Sequence, residues 1–199
     1  MMFDLKRIKE FQDRFAIRFK NQDLLITALT HSSFINDFYQ DNDVGLESNE
    51  TLEFLGDAVI GMIVSKLLYD IFPKWEEGSL TKAKASIVSG SNLAKLSNQL
   101  ELSQYIYMGK GEEKSGGRTR SSNLANAFES LIGALFIDQG YDVCFRIIEK
   151  TIDEDLKSLE DDSDSNEIFG NYKGTLQEKL FLERTECTIH YVQGEKRGG

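Results

Sequence analysis

The chain has 199 residues, of which 40% are hydrophobic, and its 23 basic and 33 acidic residues give a net charge of −10. This length allows one domain with a substantial core and part of a second, and the apolar run 58–64 is far too short to span a bilayer. The acidic balance taken alone argues against nucleic-acid binding, because phosphate contacts require Lys and Arg.

The chain shows no targeting or zinc-binding pattern. Its N-terminus lacks the apolar stretch of a secretory signal, so we expect residence in the cytoplasm. Cys144 and Cys187 lie far apart without a CxxC pair, and His31 and His190 are too few for a zinc site. Both cysteines are therefore expected to be free thiols.

Helical spacing of apolar residues dominates the first 158 residues, and no strand pattern of any length precedes residue 186. Helices are predicted over residues 5–15, 24–29, 49–71, 80–88, 91–99, a short segment around 105, 122–137 and 143–159, with loops over 37–48 and 109–120. Ser48 or Asn49 is the expected cap of the long 49–71 helix. Pro73 ends that helix, because the residue before a proline avoids helical geometry.

Three carboxylates share one stripe of this long helix. The run Asn49-Glu-Thr-Leu-Glu-Phe-Leu-Gly-Asp57 places Glu50, Glu53 and Asp57 within about 60° of one another, since successive helical residues turn by about 100°. An acid pair such as Glu50 and Glu53 is usually just solvated, but Asp57 is flanked by apolar residues, where an unpaired charge is costly. The pattern leaves both a solvated stripe and a divalent-metal site open.

A second helix offers partners for that stripe. Asn126 and Glu129 are three residues apart in the 122–137 helix and so lie on one face. Gly56 and Gly133 lack side chains and would let the two helices approach closely. Glu77 follows the long helix and either overhangs the same site or is an ordinary surface acid.

Charge is distributed unevenly along the rest of the chain. A Gly-rich segment holds four basic residues, which softens the objection to nucleic-acid binding: Lys110, Lys114, Arg118 and Arg120. Residues 159–170 are a linker by composition, with five acids and no base over 160–167. Residues 171–199 contain one helical and one strand pattern, too little to form a core of their own. They are interpreted as the start of a truncated module.

The ordered motifs of this chain resemble those of the ribonuclease III family. Asn49-Glu-Thr-Leu-Glu-Phe-Leu-Gly-Asp-Ala58 is similar to the family signature, and supporting motifs follow the same order over 25–33, 77–81, 115–118 and 124–134. The resemblance covers residues 5–158, the expected nuclease domain. Residues 171–178 resemble the opening helix of the family's double-stranded-RNA-binding domain.

The resemblance implies an all-α endonuclease domain followed by a truncated α/β RNA-binding segment. It implies a homodimer that cleaves double-stranded RNA during rRNA or mRNA precursor processing, leaving 5′-phosphate and 3′-hydroxyl ends. Neither a membrane nor a small-molecule cofactor is expected. Weak sequence discrimination is also implied, because the deep, narrow groove of A-form RNA hides the base edges.

The resemblance also assigns roles to the acids. Glu53, Asn126, Glu129 and Asp57 stand at metal-binding positions. The expected catalytic residues are Asp57, Glu129, Glu50 and Glu77, and Asp57 shapes the site around metal and water. Glu50 matches an acid near the dimer interface, and Glu77 matches one that reaches the cleft. The implied metal is Mg²⁺, with Mn²⁺ as a substitute, because hard cations prefer oxygen ligands.

Asn126 departs from the family, which usually has aspartate there. It is interpreted as a natural variation that weakens metal affinity, an engineered change that allows binding without cutting, or the mark of lost activity. Because every other acid is retained, we expect Mg²⁺-dependent cleavage to persist. The alternative is a catalytically impaired ribonuclease III-like protein that binds double-stranded RNA.

A second rival function is a helical protein-interaction domain with no RNA role. That hypothesis gives no reason for four acids on apolar helices. The homodimer rests on the resemblance alone. Phe54 and Met62 are candidates for its interface, but packing in the core of one chain is an equally open interpretation of both residues.

Overall fold

The computed structural model describes residues 3–38 and 47–164. Within these ranges the chain forms ten α-helices: α1 Leu5–Phe15, α2 Gln22–Ala28, α3 Ser32–Phe38, α4 Glu50–Ile71, α5 Glu77–Ile87, α6 Gly90–Gln99, α7 Lys110–Lys114, α8 Ser121–Gln139, α9 Tyr141–Thr151 and α10 Asp153–Asp164. Two short 3-10 helices, Leu102–Gln104 and Gly117–Thr119, complete the described helical structure. The only β pairing in this part of the chain is an isolated parallel bridge. The predicted all-α fold of the nuclease region is therefore confirmed.

Helices α4 and α8 form the centre of this fold. Ile63 and Leu67 of α4, Phe128 and Ile132 of α8, and Phe11 of α1 are each at most 1% exposed. Burying one such side chain stabilises a fold by about 1.5–3 kcal/mol. None of the described helices combines the length and apolar character needed to cross a membrane.

The two central helices run antiparallel and touch through glycines. A Cβ atom on Gly56 would overlap the backbone carbonyl of Glu129, and one on Gly133 would overlap the carbonyl oxygen of Leu52. Position 56 therefore faces 129, while position 52 faces 133, which fixes the opposite chain directions. The predicted close approach of these helices is confirmed.

Two segments predicted as loops contain helices. Residues 37 and 38 belong to α3, where Phe34 is 7% exposed and its ring lies 5.7 Å from that of Tyr107. Residues 110–114 form α7, whose first backbone N–H, on Lys110, donates to Asp37 Oδ2 at 2.7 Å. Both short helices depend on contacts between distant parts of the chain, which local periodicity does not show.

The boundary at Asn49 is correct, but the predicted cap is absent. Its side chain makes no capping hydrogen bond, and the residue is only 4% exposed. Its backbone N–H instead donates to the carbonyl of Thr30 at 2.9 Å, and its carbonyl accepts from the N–H of Glu53 at 2.8 Å. A backbone contact to Thr30, two residues beyond the end of α2, and one to Glu53 of α4 thus position the start of the long helix.

The predicted 143–159 helix is two helices, α9 and α10, which meet at Ile152. Ile152 is 2% exposed, so its burial fixes the bend between them. Helix α10 extends to residue 164, so the first part of the predicted 159–170 linker is helical. The predicted RNA-binding segment 171–199 lies outside the described residues.

Candidate active site

Four carboxylates are brought together where α4 and α8 touch. Glu50, Glu53 and Asp57 follow one side of α4, and Glu129 projects from α8. The contact of Gly56 with the backbone of Glu129 places that residue against α4 between Glu53 and Asp57. We call Glu50, Glu53, Asp57 and Glu129 the acidic cluster.

Burial and mutual repulsion perturb the two half-buried members of this cluster. The pKa of Glu129 is raised to about 7. Burial is the largest cause, and the negative charges of Asp57 and Glu53 add to it. Burial also raises the pKa of Glu53, with added contributions from Glu50 and Asp57. These couplings show that the carboxylates predicted to converge from two helices lie within electrostatic range of each other.

Among the described residues, no Lys or Arg neutralises this charge. Within residues 3–38 and 47–164, no Lys or Arg forms an ion pair with Glu53, Asp57 or Glu129. Among the same residues, no three His, Cys, Asp or Glu side chains are gathered closely enough to hold a metal ion as they stand. Carboxylate and amide oxygens without a neighbouring cation are the ligand type that a hard divalent cation prefers.

Asp57 occupies a different environment from the one predicted. Its apolar sequence neighbours suggested an enclosed carboxylate, but Asp57 and Ala58 are both exposed. Gly56 and Val59 face the core instead, because they lie on the opposite side of α4. Asp57 can therefore reach a ligand or water that approaches from solvent.

Asn126 lies one turn before Glu129 on α8 and is half-buried. Among the described residues its side chain has no hydrogen-bond partner. Its amide oxygen is thus not engaged by another described residue, and its amide group brings no negative charge. Its place as a metal ligand stays a prediction.

Glu77 is the first residue of α5 and is exposed. Its carboxylate accepts a hydrogen bond from Thr81 Oγ1 at 2.8 Å, and it does not contribute to the perturbed pKa of Glu53 or Glu129. Its predicted place at the site stays a prediction. Lys84 lies on the same face of α5 as Glu77 and Thr81, and no sequence motif indicated it. The helical spacing of residues 77, 81 and 84 is the signal that could have identified it.

An exposed apolar stripe runs along α4 beside the acidic cluster. Phe54 is 81% exposed, Met62 is 48% exposed and Tyr69 is 69% exposed. The interpretation that Phe54 and Met62 pack in the core of one chain is therefore wrong. We call Phe54, Ala58, Met62 and Tyr69 the exposed α4 stripe.

The basic residues of the Gly-rich segment are partly used inside the fold. Arg118 donates to the carbonyls of Ser103 at 2.5 Å and Ile106 at 3.0 Å, and forms an ion pair with Glu113 at 2.8 Å. Arg120 is paired with a neighbouring carboxylate. Arg118 and Arg120 therefore brace this segment and do not present a free basic surface.

Comparison with known proteins supports one family. A family model described as ribonuclease-III-like matches residues 21–156. The chain is 42% identical over 201 residues to Ribonuclease 3 of Staphylococcus haemolyticus (strain JCSC1435), a match that covers 96% of this chain and 78% of that protein. It is 41% identical over 192 residues to Ribonuclease 3 of Geobacillus kaustophilus (strain HTA426), covering 96% and 74%.

Solved structures agree with the sequence matches. The nuclease domain of ribonuclease III from Campylobacter jejuni, in a structure concerned with flexibility in a region involved in dimer formation, superposes with a TM-score of 0.67. It is 35% identical, and the match covers 75% of this chain and 99% of that one. Dicer from Pichia stipitis, 24% identical with a TM-score of 0.51 over 71% of this chain and 58% of its own, shares the fold.

Proposed function

Because this chain belongs to the ribonuclease III family, it is an endoribonuclease that acts on double-stranded RNA, and we propose that the acidic cluster and Asn126 form its catalytic site. The observation that carries the proposal is the convergence of half-buried, uncompensated carboxylates from α4 and α8. A non-catalytic protein gains nothing from this arrangement, because mutual repulsion of buried charges destabilises the fold.

The donor set fits the divalent metal that this family uses. Glu53 and Glu129 supply half-buried carboxylate oxygens, and Asn126 supplies a neutral amide oxygen. Oxygen ligands with room for water and phosphate suit Mg²⁺, and Mn²⁺ accepts the same set. When bound, a divalent cation supplies Lewis-acid stabilisation of the charge that develops on phosphate oxygens.

The proposed roles of the chain's own residues differ with their exposure to solvent. Glu53 and Glu129, whose relative position is set by the helix contact at Gly56, would hold the cation, which would supply Lewis-acid chemistry at the scissile phosphate. Asp57 is exposed at the same place and can accept a proton from the attacking water. Attack by water on phosphorus with departure of the 3′ oxygen leaves 5′-phosphate and 3′-hydroxyl ends.

The exposed α4 stripe is the proposed dimer surface. Two large aromatic residues that lie more than half exposed on the central helix are unusual unless a partner covers them. A second copy of this chain presents the same stripe, as a two-fold interface requires. Glu50, exposed at the beginning of α4, lies beside this surface and is proposed as an acid near the subunit boundary.

Substrates and location follow from the same proposal. Duplex regions of rRNA and mRNA precursors are the expected substrates, with the cytoplasm as the compartment. A carboxylate site that recognises backbone phosphates has little access to base edges in A-form RNA, so shape and not sequence selects the substrate.

The test is cleavage of a long labelled duplex RNA by the purified chain over a Mg²⁺ and Mn²⁺ series. Wild-type protein should release short duplex products only when metal is present. Glu129→Ala should reduce the rate by at least about a hundredfold, since a group that holds the metal and so stabilises the transition state is lost. Cleavage by Glu129→Ala at the wild-type rate would contradict the site, and binding without cleavage at any metal concentration would favour an RNA-binding protein that has lost activity.

A further inference from the structure

One lysine reaches across from α5 onto the central helix beside the acidic cluster. The Cε and Nζ atoms of Lys84 each lie 3.6 Å from the position that a Cβ atom on Gly61 would occupy. Gly61 is one helical turn beyond Asp57, and residues four apart on a helix are neighbours, with Cβ positions about 5–6 Å apart. The distance from the ammonium group to the exposed carboxylate of Asp57 is therefore at most about the length of two helical turns.

This ammonium group has no anionic partner in the described part of the chain. Lys84 is half-buried, yet it forms no ion pair with any carboxylate of residues 3–38 and 47–164, whereas Lys66 and Lys157 are paired with Asp70 and Asp153. The nearest acid on its own helix face, Glu77, accepts from Thr81. Because no carboxylate of the described residues pairs with this ammonium group, it is available to an external anion such as a phosphate.

The direction of Gly61 on α4 identifies what that anion can be. In projection Gly61 lies about 40° from Asp57 and about 20° from Phe54. Lys84 is therefore at the edge where the acidic cluster meets the exposed α4 stripe. A phosphate bound at this edge, next to a scissile phosphate at the acidic cluster, would be repelled by the carboxylates, and the Lys84 cation would offset that repulsion.

We propose that Lys84 binds a phosphate adjacent to the scissile phosphate and so positions the RNA strand for cleavage. The inference rests on the proposed function of the acidic cluster. The contact is an ionic hydrogen bond from Nζ to a phosphate oxygen, and it carries no sequence information. An ion pair between Lys84 and a carboxylate of a second subunit is the competing arrangement.

The experiment measures how salt weakens cleavage. Single-turnover kcat/KM for a duplex RNA is determined in Mg²⁺ at a series of NaCl concentrations, for wild type, Lys84→Gln, Lys84→Arg and Lys82→Gln. Lys82 is the matched control, because it is exposed on the same helix and also unpaired within the described residues. A lost phosphate contact should reduce the slope of log(kcat/KM) against log[NaCl] by about one.

The expected result is a reduced slope and a higher KM for Lys84→Gln alone, with Lys84→Arg close to wild type. Between about 50 and about 200 mM NaCl, the variant should then lose about threefold less activity than wild type does. An unchanged slope for Lys84→Gln would overturn the inference. So would a weaker self-association of Lys84→Gln by sedimentation with the salt slope intact, which would assign Lys84 to the subunit interface.

Failure of the proposed function gives a different result. If wild-type protein does not cut the duplex in Mg²⁺ or Mn²⁺, the catalytic assignment fails whatever Lys84 does. The same slopes are then taken from duplex-binding constants measured by fluorescence anisotropy in Mg²⁺. Equal slopes for Lys84→Gln and Lys82→Gln in that measurement overturn the phosphate contact as well.

Discussion

The backbone carbonyl of Glu129 occupies the space that a side chain on Gly56 would fill. This contact joins the two halves of the acidic cluster, since Glu53 and Asp57 flank Gly56 on α4. The same absence of a Cβ that allows close packing of α4 and α8 also brings their carboxylates within electrostatic range. The packing of α4 against α8 and the geometry of the proposed catalytic site therefore depend on one position.

Gly56→Ala should destabilise the protein and reduce cleavage together. The added methyl group overlaps backbone atoms, which cannot rotate away, so the helices must separate. Forced overpacking typically costs about 1–3 kcal/mol or more. Urea denaturation and a cleavage assay measure both effects. Gly78→Ala is the control, because nothing lies within 4 Å of its Cβ position on α5; equal stability of the two variants would refute the close contact.

Glu129→Gln should stabilise the protein in EDTA while abolishing cleavage. Burial and the neighbouring carboxylates raise the pKa of Glu129 to about 7 from the model-compound value of 4.5, so folding favours its protonated form. The folded state therefore binds more protons than the unfolded state between these two values, and stability falls as pH rises through that window. Removal of this charge should gain about 1–2 kcal/mol at neutral pH, after allowance for solvent screening.

Thermal denaturation in EDTA across this pH range checks the prediction. Glu10→Gln, which alters an exposed acid on α1, should retain the wild-type pH profile. Added Mg²⁺ should raise the melting temperature of wild type and of Glu10→Gln but not of Glu129→Gln, because only a folded site binds the metal. A pH profile for Glu129→Gln identical to wild type would contradict the coupling.

Asn126→Asp should lower the Mg²⁺ concentration that gives half-maximal cleavage by about tenfold, since a carboxylate adds a charged ligand. In EDTA the same change should destabilise the protein slightly, because a further like charge joins the cluster. Asn126→Ala, which removes the amide oxygen, should raise the Mg²⁺ requirement. Equal metal requirements for the wild type and Asn126→Asp would make the departure from the family neutral.

Phe54→Ala should weaken dimerisation without destabilising the monomer. The ring is 81% exposed in a single chain, so its burial can come only from a partner. A buried aromatic anchor at an interface contributes about 2 kcal/mol or more, which corresponds to about a thirtyfold rise in the dimer dissociation constant. Sedimentation equilibrium measures it, with Tyr141→Ala on α9 as the control; no shift for Phe54→Ala would exclude the stripe from the interface.

Cys144 should resist thiol reagents until the protein unfolds. It is fully buried, its Sγ atom lies 3.7 Å from the carbonyl oxygen of Ile132, and burial raises the pKa of its thiol to about 11. A rise of about two units lowers the thiolate fraction by about a hundredfold at neutral pH. Reaction with a disulfide reagent in a Cys187→Ser background measures this. Rapid labelling of the native variant would show that the site opens without global unfolding.

Much of the fold was predictable because its signals are local. The helical period places α1, α2 and α4 within a few residues of their observed ends, and Pro73 ends α4 as expected. Helices α3 and α7 were not predictable in this way. They are held by Phe34 against Tyr107 and by Asp37 on the first N–H of α7, contacts between residues about 70 positions apart in sequence.

The sequence by itself determined which residue types can form a site: a carboxylate stripe on one helix, a second acid beside Asn126 on another, and glycines that permit their contact. Tertiary structure alone decided the environment of each side chain. In the folded chain Asp57 and Phe54 are exposed, whereas Glu53 and Glu129 are half-buried. The side chain of Lys84 lies beside Gly61. The physical reason is that periodicity fixes which residues share a helix face, whereas exposure and charge coupling depend on which other helix packs against that face.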